Sequence, residues 1–75
     1  MENNSKFVRI EGIVEEALPG LIFRVKIISN GESREVLGHP AGKMKLHRIR
    51  IIPGDRVSLE MPNINDRRAR IVRRL

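Results

Sequence analysis

Between Lys43 and Arg50 the sequence places four cations and a histidine in eight residues, Lys43-Met44-Lys45-Leu46-His47-Arg48-Ile49-Arg50. Lysine and arginine at that density bind anions, and a polyphosphate backbone is the commonest anionic partner for such a surface. A second basic cluster follows at Arg67, Arg68, Arg70, Arg73 and Arg74. Arginine suits the task because its planar fork engages a phosphate through two donors at once. The candidate nucleic-acid contacts are therefore Lys43, Met44, Lys45, His47, Arg48, Arg50, Arg67, Arg68 and Arg70. Two of these have a second reading. His47 carries both donor and acceptor, so it serves RNA or caps a turn. Met44 is a contact or a gap-filler in the core, the commoner fate of methionine. The bland counterpart for the whole set is a solvated basic face.

Catalytic chemistry is poorly provided for. There is no cysteine, and Ser5, Ser29, Ser33 and Ser58 stand outside any nucleophile-elbow motif. Glu15 and Glu16 are adjacent, and neighbours on a strand point to opposite faces. The glycine-bearing run Gly38 to Gly42 lacks the Gly-Lys-Ser/Thr ending of a phosphate-cradling loop. Without cysteine there is no thiolate site, and two histidines (His39, His47) with scattered carboxylates make a poor ligand set, so no metal and no cofactor is expected. The expectation is a binding protein, not an enzyme. The polar opening Met1 to Lys6 is no secretory signal, and no apolar run is long enough to span a bilayer. A soluble protein of a reducing compartment, off the membrane, is expected.

Charge is divided unevenly along the chain. Residues 1–42 hold five cations against six acids, and residues 43–75 hold ten against three, which accounts for the net +6. The contact surface should therefore come mainly from the second half.

The elements that position these residues read as strands. Residues 1–6 form a polar arm expected to be flexible, and residues 7–75 a single domain. From Phe7 the pattern alternates: Val8, Ile10, Gly12 and Val14 on one face, Arg9, Glu11, Ile13 and Glu15 on the other. Gly12 marks a bulge or a sharp bend. Pro19-Gly20 is a turn. A second strand follows with Leu21, Phe23, Val25 and Ile27 inward, and with Ile22 and Ile28 suggesting cover on both faces for part of its length. Asn30-Gly31 is a strong hairpin signal. Arg34 to Gly38 reads as a short third strand with Val36 or Leu37 inward, broken by His39-Pro40-Ala41-Gly42. Lys43 to Arg48 suits one helical turn, and Ile49, Ile51 and Ile52 return to the core. After Pro53-Gly54-Asp55, a fourth strand buries Val57, Leu59 and Met61 and exposes Arg56, Ser58 and Glu60. Pro62 to Asp66 is a loop. Ala69 to Arg73 is the fifth strand, burying Ile71 or Val72, with Arg68 and Arg70 on one face and Arg73 on the other.

Five short strands with one helical turn between the third and fourth fit an all-β barrel of the OB-fold type, a Greek-key barrel that binds oligonucleotides. Only Phe7 and Phe23 are aromatic, and Phe23 lies in the inward register. Single-strand binders stack successive bases on aromatic side chains. Many arginines with few platforms favour structured RNA, held through phosphates and 2′-hydroxyls.

The chain resembles bacterial-type translation initiation factor 1. The carrying segments are Glu11 to Pro19, Phe23-Arg24-Val25, Gly38 to Met44, Ile49 to Val57 and Arg70-Ile71-Val72. The resemblance implies a five-stranded OB-fold that binds the small ribosomal subunit at the A site. There it would contact decoding-centre rRNA and an adjacent ribosomal protein and block premature tRNA entry. It further implies a cytoplasmic or organellar monomer working with the second and third initiation factors. Lys43, Met44, Lys45 and Arg50 match the family's RNA-contacting turn, and Arg68 and Arg70 its basic entry to the last strand. Three segments depart from the pattern: Arg48 stands where the family usually has an aromatic residue, Pro62-Asn63-Ile64-Asn65-Asp66 replaces a usual Pro-Tyr-Asp, and the hairpin around Ser29 to Arg34 is about two residues longer than common. The alternative reading is a general RNA-binding or chaperone module of cold-shock type.

Overall fold

The first strand serves two neighbours, and the barrel is built on that. In the computed structural model, which describes residues 7–75, β1 (Val8–Leu18) pairs with β4 (Arg56–Met61) along its first half and with β2 (Ile22–Ser29) along its second. The arm expected over residues 1–6 lies outside the described residues. Gly12 sits where the two pairings meet, opposite both Ile27 and Val57. A Cβ there would lie 2.6 Å from Val25 Cγ1 and 2.9 Å from the Lys26 carbonyl oxygen, so the strand turns this corner because the residue has no side chain. The expected bend is present. The bulge is separate and comes later, with Glu15 unpaired between Val14 and Glu16.

Asn30 (φ 55°) and Gly31 (φ 78°) form the two-residue turn that pairs β2 with β3 (Glu32–Pro40), from Ser29 opposite Glu32 to Phe23 opposite Gly38. Positive φ at both central positions matches the twist of the flanking strands. The third strand is longer than its sequence suggested. His39 and Pro40 extend it, because they pair in parallel with Arg70 and Ile71 of β5 (Arg68–Arg74). That parallel pairing closes the barrel in the order β1-β2-β3-β5-β4, with the short helix α1 (Gly42–Leu46) between β3 and β4. This is the expected OB-fold architecture.

The interior holds Val14, Phe23, Val25, Ile27, Val36, Met44, Ile51, Val57, Leu59, Met61, Ala69 and Ile71 in one cluster. Val36, and not Leu37, is the inward residue of β3. Several expected core residues lie elsewhere. Leu21 belongs to the turn, with φ 58°, and is exposed. Ile28 is 65% exposed, so β2 is covered on one face only at that end. Of the three isoleucines after the helix only Ile51 is buried; Ile49 and Ile52 face solvent. Conversely, Ser58 is buried although it points to the outer face, beside its partners Glu11 and Arg73.

Candidate nucleic-acid interface

Residues 45 to 50, the end of α1 and the loop after it, form an exposed basic segment held at both ends by the core. Met44 on one side is 1% exposed and Ile51 on the other is buried. Lys43, Lys45, His47, Arg48 and Arg50 all lie on the surface. None of the four cations in this set pairs with an acid among the described residues. Met44 thus takes the core role. At that exposure it offers a partner little beyond the part of it that lines the grooves beside the loop.

The helix ends in a Schellman arrangement. The Ile49 N–H donates to the Met44 carbonyl at 3.0 Å, and the Arg48 N–H to the Lys45 carbonyl at 3.1 Å. The residue in the left-handed position is Arg48, at φ 54°, where glycine is usual. His47 is the C-cap, and its backbone N–H reaches the Lys43 carbonyl at 3.0 Å. Downstream, the Asp55 carboxylate accepts the Ile52 N–H at 3.0 Å, and the Gly54 N–H donates to the Val14 carbonyl at 2.7 Å. The loop is therefore fastened to β1 as it leaves the surface.

Two grooves flank this loop and share Met44 and Ile49 as a common wall. One, of about 370 Å³, gathers Lys45, Arg48 and Arg50 beside Leu21, Phe23 and Pro40. The other, of about 460 Å³, gathers Lys43 and His47 with Arg73 and Arg74. The Arg74 guanidinium also donates to the Arg50 carbonyl at 3.0 Å, tying the end of β5 to the loop. Arg73 and Arg74 were not among the nominated contacts. The missing signal was a second bulge: Leu59 pairs with Ile71 and Ser58 with Arg73, so Val72 is the extra residue. The bulge reverses the alternation and brings Arg73 to the face that carries Arg70, correcting the expectation that it lies opposite.

The remaining nominated arginines lie apart from the loop. Arg67 lines a groove with Arg24, Arg34 and Leu37. Arg68 and Arg70 line another with Phe7, His39 and Glu60. Arg70 is already engaged, donating to Glu60 Oε1 at 3.0 Å while Arg9 holds the other carboxylate oxygen. Hydrogen bonds from Arg9 first and Arg70 second hold the Glu60 carboxyl below its ordinary pKa. Two other arginines do structural work: Arg24 pairs with Glu16, and Arg34 grips the carbonyls of Ile64 and Asp66 in the β4–β5 loop.

Among the described residues no three His, Cys, Asp or Glu side chains converge as metal ligands, and no helix is long and apolar enough to cross a membrane. The arrangement is a small barrel with an anchored basic loop whose cations pair with no acid among the described residues. The family model for translation initiation factor 1A / IF-1 matches residues 2–75. The solution structure of translation initiation factor 1 from the Wolbachia endosymbiont strain TRS of Brugia malayi is similar, with 42% identity and a TM-score of 0.72 over 93% of this chain and 79% of that one. The crystal structure of YjeQ from Thermotoga maritima is similar too, with 28% identity and a TM-score of 0.67, over 91% of this chain but 23% of that one. By the extent of the family match and the identity to a solved member, the chain belongs to the translation initiation factor 1A / IF-1 family.

Proposed function

We propose that this initiation factor occupies the A site of the small ribosomal subunit, contacts decoding-centre rRNA beside a ribosomal protein, and keeps tRNA out of that site. It acts as a monomer in the cytoplasm, alongside the second and third initiation factors, and by occupancy instead of catalysis. The observation that carries the reading is the Lys45 to Arg50 loop, which presents cations without acidic partners among the described residues and is pinned by Met44 and Ile51. A loop whose backbone is fixed at both ends suits a structured phosphate surface better than a mobile strand does, because little backbone order remains to be imposed on binding.

The test is a titration against vacant small subunits across salt concentrations, with A-site tRNA and single-stranded RNA as competitors. Displacement by the A-site ligand alone is expected, with log affinity falling by roughly 0.9 per phosphate contact per tenfold rise in salt. The double variant Lys45→Glu, Arg68→Glu should bind far more weakly yet melt as the parent does. Unchanged affinity of that variant at low salt would refute the assignment. Equal competition by any RNA would transfer the protein to the cold-shock class.

A further inference from the structure

Arg34 shares the inward side of β3 with Val36 and stands opposite the buried Ile27. Ile27 is the last residue of β2 that still pairs with β1, so the cation sits where the interior opens. Its guanidinium uses both arms of the fork on one loop. Nη1 donates to the Asp66 carbonyl at 2.9 Å, and Nη2 to the Ile64 carbonyl. It makes no ion pair among the described residues. The loop between β4 and β5 has further fastenings. Asn63 accepts the Asn65 N–H on its side-chain oxygen at 2.9 Å and the Asp66 N–H on its carbonyl at 3.1 Å. Ile64 packs against the core cluster. The Arg67 carbonyl then accepts the Leu37 N–H at 2.8 Å, where β5 joins β3.

A fork that donates to carbonyls two residues apart fixes a backbone and leaves the side chains that follow it free. Those side chains are Arg67 and Arg68, both exposed, and neither pairs with an acid among the described residues. Arginine suits the task because its donors are rigidly spaced, whereas lysine offers a point charge on a flexible stem. Without the clamp, a phosphate held by Arg67 or Arg68 would have to order the loop as it bound. We propose that Arg34 is a positioning residue for RNA binding: it touches no phosphate, and it holds the β4–β5 loop so that Arg67 and Arg68 are presented in one direction. The inference rests on the RNA-binding reading and makes the β2–β3 hairpin a support for the second basic cluster.

The experiment is a double-mutant cycle. Affinity is measured at one low salt concentration for vacant small ribosomal subunits and, separately, for a plain duplex RNA. Arg34→Leu keeps much of the side-chain bulk and removes the donors. It should weaken binding about 5- to 30-fold, the cost of ordering roughly one residue's backbone. In the Arg67→Ala, Arg68→Ala background the same change should cost less than about twofold, because nothing is left to position. An equal loss in both backgrounds would mean that Arg34 touches the RNA itself or only supports the fold, and overturns the proposal. Undiminished binding after Arg67 and Arg68 are removed also overturns it. Arg34→Lys keeps the charge without the fork, so it should weaken binding as well. Full affinity there counts against the proposal, and this variant stands in if the Leu chain does not fold. Amide exchange gives a readout without RNA. The Leu37 N–H should exchange faster in Arg34→Leu, while the Ile49 N–H at the stop of α1 keeps its rate. Unchanged exchange at Leu37 overturns the clamp. The two readings fail separately. If the clamp fails, subunit binding still depends on Lys45. If the A-site reading fails, subunits lose their advantage over duplex RNA while the cycle on duplex RNA keeps its coupling.

Discussion

Arg48 occupies a backbone position that an L-residue with a side chain adopts at a cost. Its φ of 54° and the paired hydrogen bonds to Met44 and Lys45 put it at the left-handed stop of α1. A side chain beyond Cα there costs about 1–2 kcal/mol through crowding of Cβ against the following carbonyl. Glycine removes that cost but gains freedom in the unfolded chain, worth about 0.4–1 kcal/mol in the other direction. The net expectation for Arg48→Gly is a gain of about 0.5–1 kcal/mol. In a domain of this size that raises the melting temperature by roughly 2–8 °C. Arg48→Ala is the control: it removes the same charge yet keeps Cβ, so it should stay within about 0.5 kcal/mol of the parent. Thermal and urea melts followed by circular dichroism measure both. Subunit affinity should fall alike in the two variants, since each loses the same cation. An Ala variant as stable as the Gly variant would refute the strain argument, because the two differ only in the β-carbon.

Three further outcomes follow from the packing and the ion pairs. Gly12→Ala should destabilise by about 1–3 kcal/mol, read from the urea midpoint, because the new methyl meets a backbone carbonyl at 2.9 Å as well as the Val25 side chain; a shift below about 0.5 kcal/mol would mean the corner has slack. Met44→Leu should lower stability by less than about 1.5 kcal/mol and leave RNA affinity intact, whereas Met44→Ala should lower stability by about 2–5 kcal/mol; a folded Leu variant that loses affinity would make Met44 a contact. The Glu60 carboxyl is held below its ordinary 4.5, so its stabilising contribution is present above that value and disappears as pH falls through the lowered native pKa. The difference between the parent and Glu60→Gln, roughly 0.2–1 kcal/mol for pairs this exposed, should therefore be present near neutrality and vanish in acid; a difference that grows on acidification would contradict the sign.

What could be read in advance was whatever a few adjacent residues decide. Asn30-Gly31 dictates a hairpin because both residues accept positive φ, and Pro53-Gly54-Asp55 turns the chain by the same local logic. The alternation Val57, Leu59, Met61 is complete within β4 and needs no partner to be seen. Ile28, Ile49 and Ile52 were misplaced because hydrophobicity alone does not say which apolar residues the barrel has room for. Pro40 reads locally as a strand breaker, yet it ends β3 beside a parallel neighbour that no local rule reveals. The pairing of Arg70 with Glu60 was hidden for the same reason, since it depends on two strands lying in one register.

The basic surface shows why register matters more than composition here. Counting arginines locates the positive half of the chain but assigns them to faces by strict alternation. The bulge at Val72 breaks that alternation, and a bulge is a mismatch between two strands, so it has no signature in either one alone. It brings Arg73 to the outer face and carries Arg74 to the Arg50 carbonyl, so the end of β5 and the loop after α1 become walls of one groove. Without the extra residue the final arginines would alternate in the opposite sense, and β5 would offer the loop a different set of charges. The basic surface is therefore a property of the closed barrel, assembled from segments whose separate sequences supply the cations but not their common face.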